Sequence, residues 1–201
     1  MLKVAVTKGK VERDFNKLLK KSEFNIDEIE NKDRKLLIKT KDDLEMCFLK
    51  PVDVIKFVDR GIVDIGIVGK DTMDELDSLN YKELLDLDIG KCYFALAGYP
   101  EFKNKKIKVV ATKYPKIAIK YFEERNEKVK IIKMEGSVEL GAVIGMADAI
   151  VDIVETGSTL KANGLVVLDK ICDVSTRLIT NNKSFENKNN EIINVVNKLK
   201  I

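Results

Sequence analysis

Short β-branched runs alternate with stretches of helical periodicity from one end of this chain to the other, and that alternation limits its fold more than any other feature. A short continuous apolar run suits a strand buried on both faces, while apolar residues at i, i+3 and i+4 suit a helix that covers one. Residues 2–6 read as the first strand, and Val11, Phe15, Leu18 and Leu19 follow at helical spacing. Residues 36–40 and 45–49 form a strand pair. Pro51 stands where a first helical turn tolerates it, with Val54, Ile55 and Val58 as that helix's apolar face. Residues 63–68 make a strand ending at Gly69, with Asp71 expected to cap the next segment, and residues 92–97 make another, closed by Gly98-Tyr99-Pro100.

The same grammar then repeats. Residues 107–111 read as a strand, and Thr112 as the N-cap of a helix carrying Ile117, Ala118, Tyr121 and Phe122. Residues 129–134 are the next strand, and Ser137 is expected to cap a helix to about Met146, with its capping-box partner only approximate. Residues 149–154 form a strand before a glycine-containing turn, and residues 165–181 read as one long, mostly strand-like stretch. A polar linker over 181–190 leads to a last helix with Ile192, Ile193, Val196 and Leu199 on one side. Such alternation predicts an α/β fold in which helices cover a parallel or mixed sheet and ligands lie at the carboxyl ends of strands.

Composition narrows the chemistry. The 201 residues suffice for one large or two small domains. Charged residues are 34% of the chain, but 36 basic against 33 acidic leaves a net +3, so neither disorder by charge excess nor a dedicated nucleic-acid surface is indicated. The aromatic residues form no basic-aromatic stacking strip, which also speaks against nucleic acid. There is no histidine, which excludes Ser-His-Asp and Cys-His machinery and every His-based metal site. Cys47, Cys92 and Cys172 are scattered, as in a reducing compartment, and the opening residues enter a strand pattern without a signal-peptide layout. The most apolar stretch, residues 140–154, carries Asp148 and Asp152 and is too short to span a bilayer. The expectation is a soluble cytoplasmic protein with no membrane association.

The densest chemical signal is Ile150-Val151-Asp152-Ile153-Val154-Glu155-Thr156-Gly157-Ser158-Thr159-Leu160. A strand bearing one carboxylate runs into a tight Thr-Gly-Ser-Thr turn, and a helix can begin behind it. Gly157 lets the backbone curl its N–H groups inward, and the hydroxyls of Thr156, Ser158 and Thr159 add donors, an arrangement that favours phosphate. An ordinary strand–turn–helix with a Ser/Thr cap explains the turn alone, and no Walker A spacing occurs. Asp152 and Glu155 suit sugar hydroxyls or Mg²⁺ beside such a cradle.

With these residues in view, the chain resembles the ATP phosphoribosyltransferases that open histidine biosynthesis. The family signature reads here as Glu139, Gly145, Ala147, Ile150, Asp152, Thr156, Gly157, Thr159 and Leu160, with every spacing kept. Gly136-Ser137-Val138-Glu139-Leu140, Ala111-Thr112-Lys113-Tyr114-Pro115, the run from Asp64 through Gly66 to Asp71, and Thr7-Lys8-Gly9-Lys10 are similar too.

The resemblance implies that N1 of ATP attacks C1 of phosphoribosyl pyrophosphate and releases pyrophosphate, with Mg²⁺ present. It implies that Asp152, Glu155, Thr156, Gly157, Ser158 and Thr159 bind the sugar substrate, that Asp152 and Glu139 act in catalysis and as Mg²⁺ contacts, and that Lys8, Gly9, Lys10, Lys50, Asp64, Gly66 and Asp71 serve ATP. Lys113 could touch a phosphate, and bland readings stay open beside all of these: a capping or helix-surface role for Glu139, a solvated turn for Lys8, tight strand–helix packing for Gly66, and helix-start chemistry for Lys113. Lys10 and Lys50 stand where the family usually has Arg, which keeps the charge without the planar fork of bidentate phosphate contact, and Ser158 replaces an Arg in the loop.

The resemblance further implies a two-lobed fold of the type II periplasmic-binding-protein kind, with mixed sheets and helices on both faces. One lobe would comprise residues 1–92 with 175–201, and the other, residues 93–174, would carry the phosphate loop, with the substrates meeting between them. The length matches the family's short form, which depends on a regulatory subunit resembling histidyl-tRNA synthetase and forms a homodimer within a larger hetero-oligomer. The rival reading is a non-catalytic two-lobed protein that binds a phosphorylated metabolite, which fold alone does not exclude.

Overall fold

The structure, a computed structural model, describes residues 1–33, 35–76 and 80–200. The chain divides into two compact units, Met1–Gly90 with Ser175–Ile201, and Lys91–Val174. Along the first unit run β1 (Leu2–Thr7), α1 (Lys10–Lys21), α2 (Asp27–Glu30), β2 (Leu37–Lys39), β3 (Leu44–Leu49), α3 (Pro51–Asp59), β4 (Ile65–Gly69), α4 (Lys70–Glu75) and β5 (Tyr81–Asp86). The second unit holds β6 (Cys92–Gly98), a 3₁₀ turn at Pro100–Phe102, β7 (Val109–Thr112), α5 (Pro115–Glu123), β8 (Lys130–Lys133), α6 (Glu139–Val143), β9 (Ala149–Val154), α7 (Ser158–Ala162) and β10 (Val166–Val174). The chain then returns to the first unit with β11 (Thr176–Asn181), α8 (Asn182–Asn187) and α9 (Asn189–Leu199).

Each unit is built on its own mixed sheet, in the order β2-β3-β1-β4-β11-β5 in the first and β10-β6-β9-β7-β8 in the second. β1 runs parallel to β3 and β4, and β7 runs parallel to β8 and β9. β11 is antiparallel to β4 and β5, and β6 is antiparallel to β9 and β10. Strand alternation sends side chains to two cores per sheet. In the first unit Val4, Val6, Met46 and Ile67 meet Phe15, Leu19 and Ile192 on one face, while Ala5, Val68 and Ile179 meet Val54, Ile55 and Val58 on the other. In the second unit Phe94, Val110 and Val151 meet Ala118 and Phe122, and on the opposite face Ala95, Ala97 and Ile150 meet Val138, Ala142 and Leu160. Helices therefore cover both faces of both sheets.

Several local expectations need correction. The strand-like stretch over 165–181 breaks at Ser175 into β10 and β11, which belong to different sheets. β5 had no signal in the sequence, because its half-exposed pattern does not alternate, and its pairing with β11 creates it. Most of the supposed linker is α8, capped by Asn181, whose side chain accepts from the Ser184 amide at 2.7 Å. In α9 Val195 is buried and Ile193 only half-buried.

Three caps also move. Asp71 lies inside α4, one residue past its start. Thr112 ends β7, and α5 begins at Pro115. Ser137 takes a left-handed conformation with φ 47°, and the helix behind it covers only Glu139–Val143, with Val138 as its N-cap. Each expectation matched a residue type to a cap without knowing the backbone angle.

Candidate active site

β9 carries the central carboxylate. Ile150, Asp152 and Val154 share a face by alternation, the face that Val138, Ala142 and Leu160 cover. Across the ladder Asp152 stands opposite Ala95, and Ile150 opposite Ala97. Two methyl side chains in a row leave room above β6, and a pocket of about 320 Å³ opens there, bounded by Glu139, Asp152 and the loop from Glu155 to Thr159. Ala95 and Ala97 went unremarked in the sequence, although small residues at alternate strand positions were the available signal.

The loop is shaped by one residue. Gly157 has φ 72° and ψ 5°, and a Cβ there would come no closer than 3.8 Å to Val154. The left-handed backbone, rather than crowding, is what calls for glycine. Around it Thr156 Oγ1 and Ser158 Oγ lie 3.0 Å apart, and the Ser158 amide donates to Thr156 Oγ1 at 3.3 Å. The backbone bond from Lys161 N to Gly157 O, at 3.0 Å, closes the first turn of α7, so the amides of Thr159 and Leu160 precede any intrahelical acceptor. Hydroxyls and amides thus gather in one loop that lines the pocket.

The same pocket is lined by the carboxylates of Glu139, Asp152 and Glu155. Burial pushes the Asp152 carboxyl above its ordinary range, while the Ile153 amide, donating to its Oδ1 at 2.8 Å, pulls it down. The charge of Glu139 raises it further, and that of Lys113 lowers it. A carboxylate so placed gains from any cation or hydroxyl donor brought to it. Among the described residues no group of three or more Cys, Asp or Glu side chains is arranged to hold a metal. Two carboxylates at one pocket still fit Mg²⁺ in its usual mode, held by one or two protein oxygens plus substrate phosphates.

The residues expected to serve ATP all belong to the first unit. Lys8, Gly9 and Lys10 follow β1, Lys50 follows β3, and Asp71 follows β4, so the three parallel strands deliver them to one carboxyl edge. Gly9, with φ 92°, turns the chain into α1. Lys8 borders a pocket of about 290 Å³ with Lys32 and Phe48, and Lys32 Nζ lies 3.7 Å from the Phe48 ring centroid.

Two residues fit this group poorly. Asp64 precedes β4 and lies at the amino edge, where its carboxylate accepts from Lys3 N, Ser184 Oγ and Lys188 Nζ, each at 2.8 Å. Asp64 and Asp71 therefore lie at opposite ends of β4. A Cβ on Gly66 would meet Val58 Cγ2 at 2.7 Å and Ile179 Cγ1 at 3.0 Å, so its lack of a side chain lets β4 approach α3.

The family model described as HisG, ATP phosphoribosyltransferase, matches residues 50–201. The chain belongs to this family. The ATP phosphoribosyltransferase of Lactococcus lactis subsp. cremoris is 53% identical over 202 residues, which cover 99% of this chain and 97% of the relative. The structure of the ATP phosphoribosyl transferase (HisG:HisZ) complex from Thermotoga maritima includes a chain that matches with a TM-score of 0.80 and 32% identity, covering 100% of this chain and 97% of that one. The Candida albicans CA3427 gene product, which exhibits the generic periplasmic binding protein structural fold, matches with a TM-score of 0.61 at 14% identity, over 99% of this chain and 69% of that one. The last likeness concerns the fold alone. Family and fold agree with the resemblance carried by Glu139 to Leu160.

Proposed function

We propose that this protein transfers the phosphoribosyl group of phosphoribosyl pyrophosphate to N1 of ATP, giving phosphoribosyl-ATP and pyrophosphate, the first step of histidine biosynthesis. Membership in the ATP phosphoribosyltransferase family supports the reaction, and one structural observation carries the site: the loop from Glu155 to Thr159 and the carboxylates of Asp152 and Glu139 border a single pocket. In this reading the Thr156, Ser158 and Thr159 donors hold the sugar's 5-phosphate, with Gly157 setting their geometry. Asp152 and Glu139 face the ribose, where carboxylates stabilise positive charge developing at C1. Bound Mg²⁺ would neutralise the departing pyrophosphate, and Asp152 and Glu139 would be the residues to share it.

ATP is assigned to the first unit through Lys8, Gly9, Lys10, Lys50 and Asp71. Asp64 and Gly66 are left out, because hydrogen bonds and packing already account for them. Holding two polyanions in register and excluding water supplies most of the rate, which explains how a chain without histidine performs the reaction.

The Thermotoga maritima relative is a HisG:HisZ complex, and this chain covers 97% of the matched chain. The corresponding proposal here is a HisZ-type regulatory partner resembling histidyl-tRNA synthetase, in a hetero-oligomer built on homodimers. A cytoplasmic setting follows from the substrates; among the described residues no helix is long and apolar enough to cross a membrane. The test mixes the purified chain with ATP, phosphoribosyl pyrophosphate, Mg²⁺ and such a partner, and measures pyrophosphate. Its release is expected. Tight binding of the sugar donor without turnover in the full mixture would favour a binding-only protein.

A further inference from the structure

The transfer reaction leaves the cysteines unused. All three are thiols in this structure, with Cys47 and Cys92 half-buried and Cys172 exposed. Cys47 lies on β3 in the first unit, where burial and the charge of Glu45 push its thiol up and away from the reactive thiolate. Cys92 and Cys172 belong together. Cys92 is the first residue of β6 and Cys172 lies two residues before the end of β10, the strands by which the chain enters and leaves the second unit.

Strand register puts the pair on one face. Cys92 stands opposite Val174 and Phe94 opposite Cys172, so the two cysteines are diagonal neighbours of an antiparallel pair. Opposed residues share a face, and Cys92, Phe94 and Val174 pack into the same core of the second unit. Diagonal neighbours stand about 7–8 Å apart, whereas a disulfide joins Cα atoms about 4.4–6.8 Å apart. The gap of about 1 Å has a local remedy. Ile171 is an extra residue in β10, where the register shifts between Lys170 and Cys172, and such a bulge bends its strand and increases the twist. β10 is also an edge strand, held to the sheet through β6, so it shifts at less cost than a strand paired on both sides.

We infer that Cys172 and Cys92 form a reversible, oxidant-responsive disulfide that fastens the edge strand β10 to β6. Exposure divides the roles: Cys172 meets the oxidant, and Cys92 resolves the product. With a small disulfide as oxidant, the Cys172 thiolate attacks one of its sulfurs and expels a thiolate, leaving a mixed disulfide. The Cys92 thiolate then attacks Cys172 Sγ, forms the intramolecular bond and expels the second small thiolate. The two protons of the cysteine thiols end on the two released thiols, and the two electrons lost by the protein reduce the small disulfide. In a reducing compartment the pair stays as thiols until oxidant accumulates, and its closure spares Cys172 from irreversible sulfinic and sulfonic acids.

The test incubates the full, reduced chain with glutathione disulfide, then applies thiol titration in denaturant, intact mass measurement and peptide mapping without reductant. The thiol count should fall from three to one, with two hydrogens lost from the mass and the Cys92 and Cys172 peptides joined. Dithiothreitol should restore all three thiols. The oxidised chain should melt about 3 °C higher or more, because the bond closes most of the second unit into one loop and constrains the unfolded chain. Cys92→Ser should stop at the mixed disulfide, with one glutathione on Cys172, and Cys172→Ser should take up far less glutathione than Cys92→Ser.

Retention of three thiols by the wild-type chain would overturn the inference, as would a mixed disulfide at Cys172 that Cys92 fails to displace. A bond from either residue to Cys47, or to a second copy of the chain, would overturn it equally.

Discussion

Asp152 is a side chain that opposes stability, a cost that its proposed role in the sugar-donor site accounts for. Its carboxyl is raised chiefly by burial, so the native state holds that proton more tightly than the unfolded chain does. The stabilising, protonated form is lost as pH rises through the raised value, and at neutral pH the ionised group costs stability. Asp152→Asn should therefore raise the melting temperature at pH 7 in differential scanning fluorimetry while reducing pyrophosphate release by about 100-fold or more. A variant that melts lower and turns over normally would remove Asp152 from the site. Gly157 obeys a different constraint, backbone angle without crowding. Gly157→Val should abolish measurable binding of phosphoribosyl pyrophosphate, whereas Gly157→Asn, which tolerates positive φ, should retain part of it in calorimetric titration. Both residues were legible in the sequence, because a carboxylate in an apolar strand and a glycine among hydroxyls are local patterns. For Lys113 the sequence offered a phosphate contact or a helix start, and its position level with Asp152 exists only through the pairing of two strands that lie 39 residues apart at Thr112 and Val151.

Elements in this protein are held in place by polar joints as much as by apolar faces. The joint at α8 gathers residues from three segments: Thr180 Oγ1 donates to the Asp64 carbonyl at 2.7 Å, Asn181 Nδ2 to the Val63 carbonyl at 3.0 Å, and Lys188 Nζ to the Asp64 carboxylate. Asn181→Ala removes a helix cap and leaves a buried carbonyl unpaired, and should cost about 1–2 kcal/mol in urea unfolding with sugar-donor affinity unchanged. Burial tends to raise the Asp64 carboxyl, but the Lys188 contact, the Lys3 amide and Ser184 outweigh it and hold it below its ordinary range. Its stabilisation is thus present above the unfolded aspartate value and is lost as pH falls through the lower folded one. Melting temperatures measured below about pH 4 should fall more steeply for wild type than for Asp64→Asn. The sequence suggested a polar linker here, because asparagines and lysines carry no periodicity until Asn181 finds the Ser184 amide to cap.

At the scale of the whole molecule, the two units differ in how much chain they need. All five strands of the second sheet lie within Lys91–Val174, together with the helices that cover both its faces. The first sheet is interrupted: β11 comes from the far end of the chain yet sits between β4 and β5, with Leu178 and Ile179 fully buried on opposite faces. A fragment of residues 91–174 should therefore unfold cooperatively on its own, while residues 1–90 alone should not, as followed by circular dichroism during a thermal melt. A non-cooperative second fragment would mean that its two cores depend on the rest of the chain. Co-expression of residues 1–90 with 175–201 supplies the missing strand and should recover a transition.

What the amino-acid sequence determined by itself was the kind of fold, the order of most strands and helices, and the Asp152-to-Thr159 segment. Those features depend on periodicity, backbone preference and neighbours within a few positions. The tertiary structure alone decided the division of residues 165–181 between two sheets, the existence of β5, the burial of Asp64 against Lys188, and the level at which Lys113 emerges. Each of these arises from a contact between distant segments, and a hydrogen bond or strand register between distant residues has no energy until folding brings its two halves together.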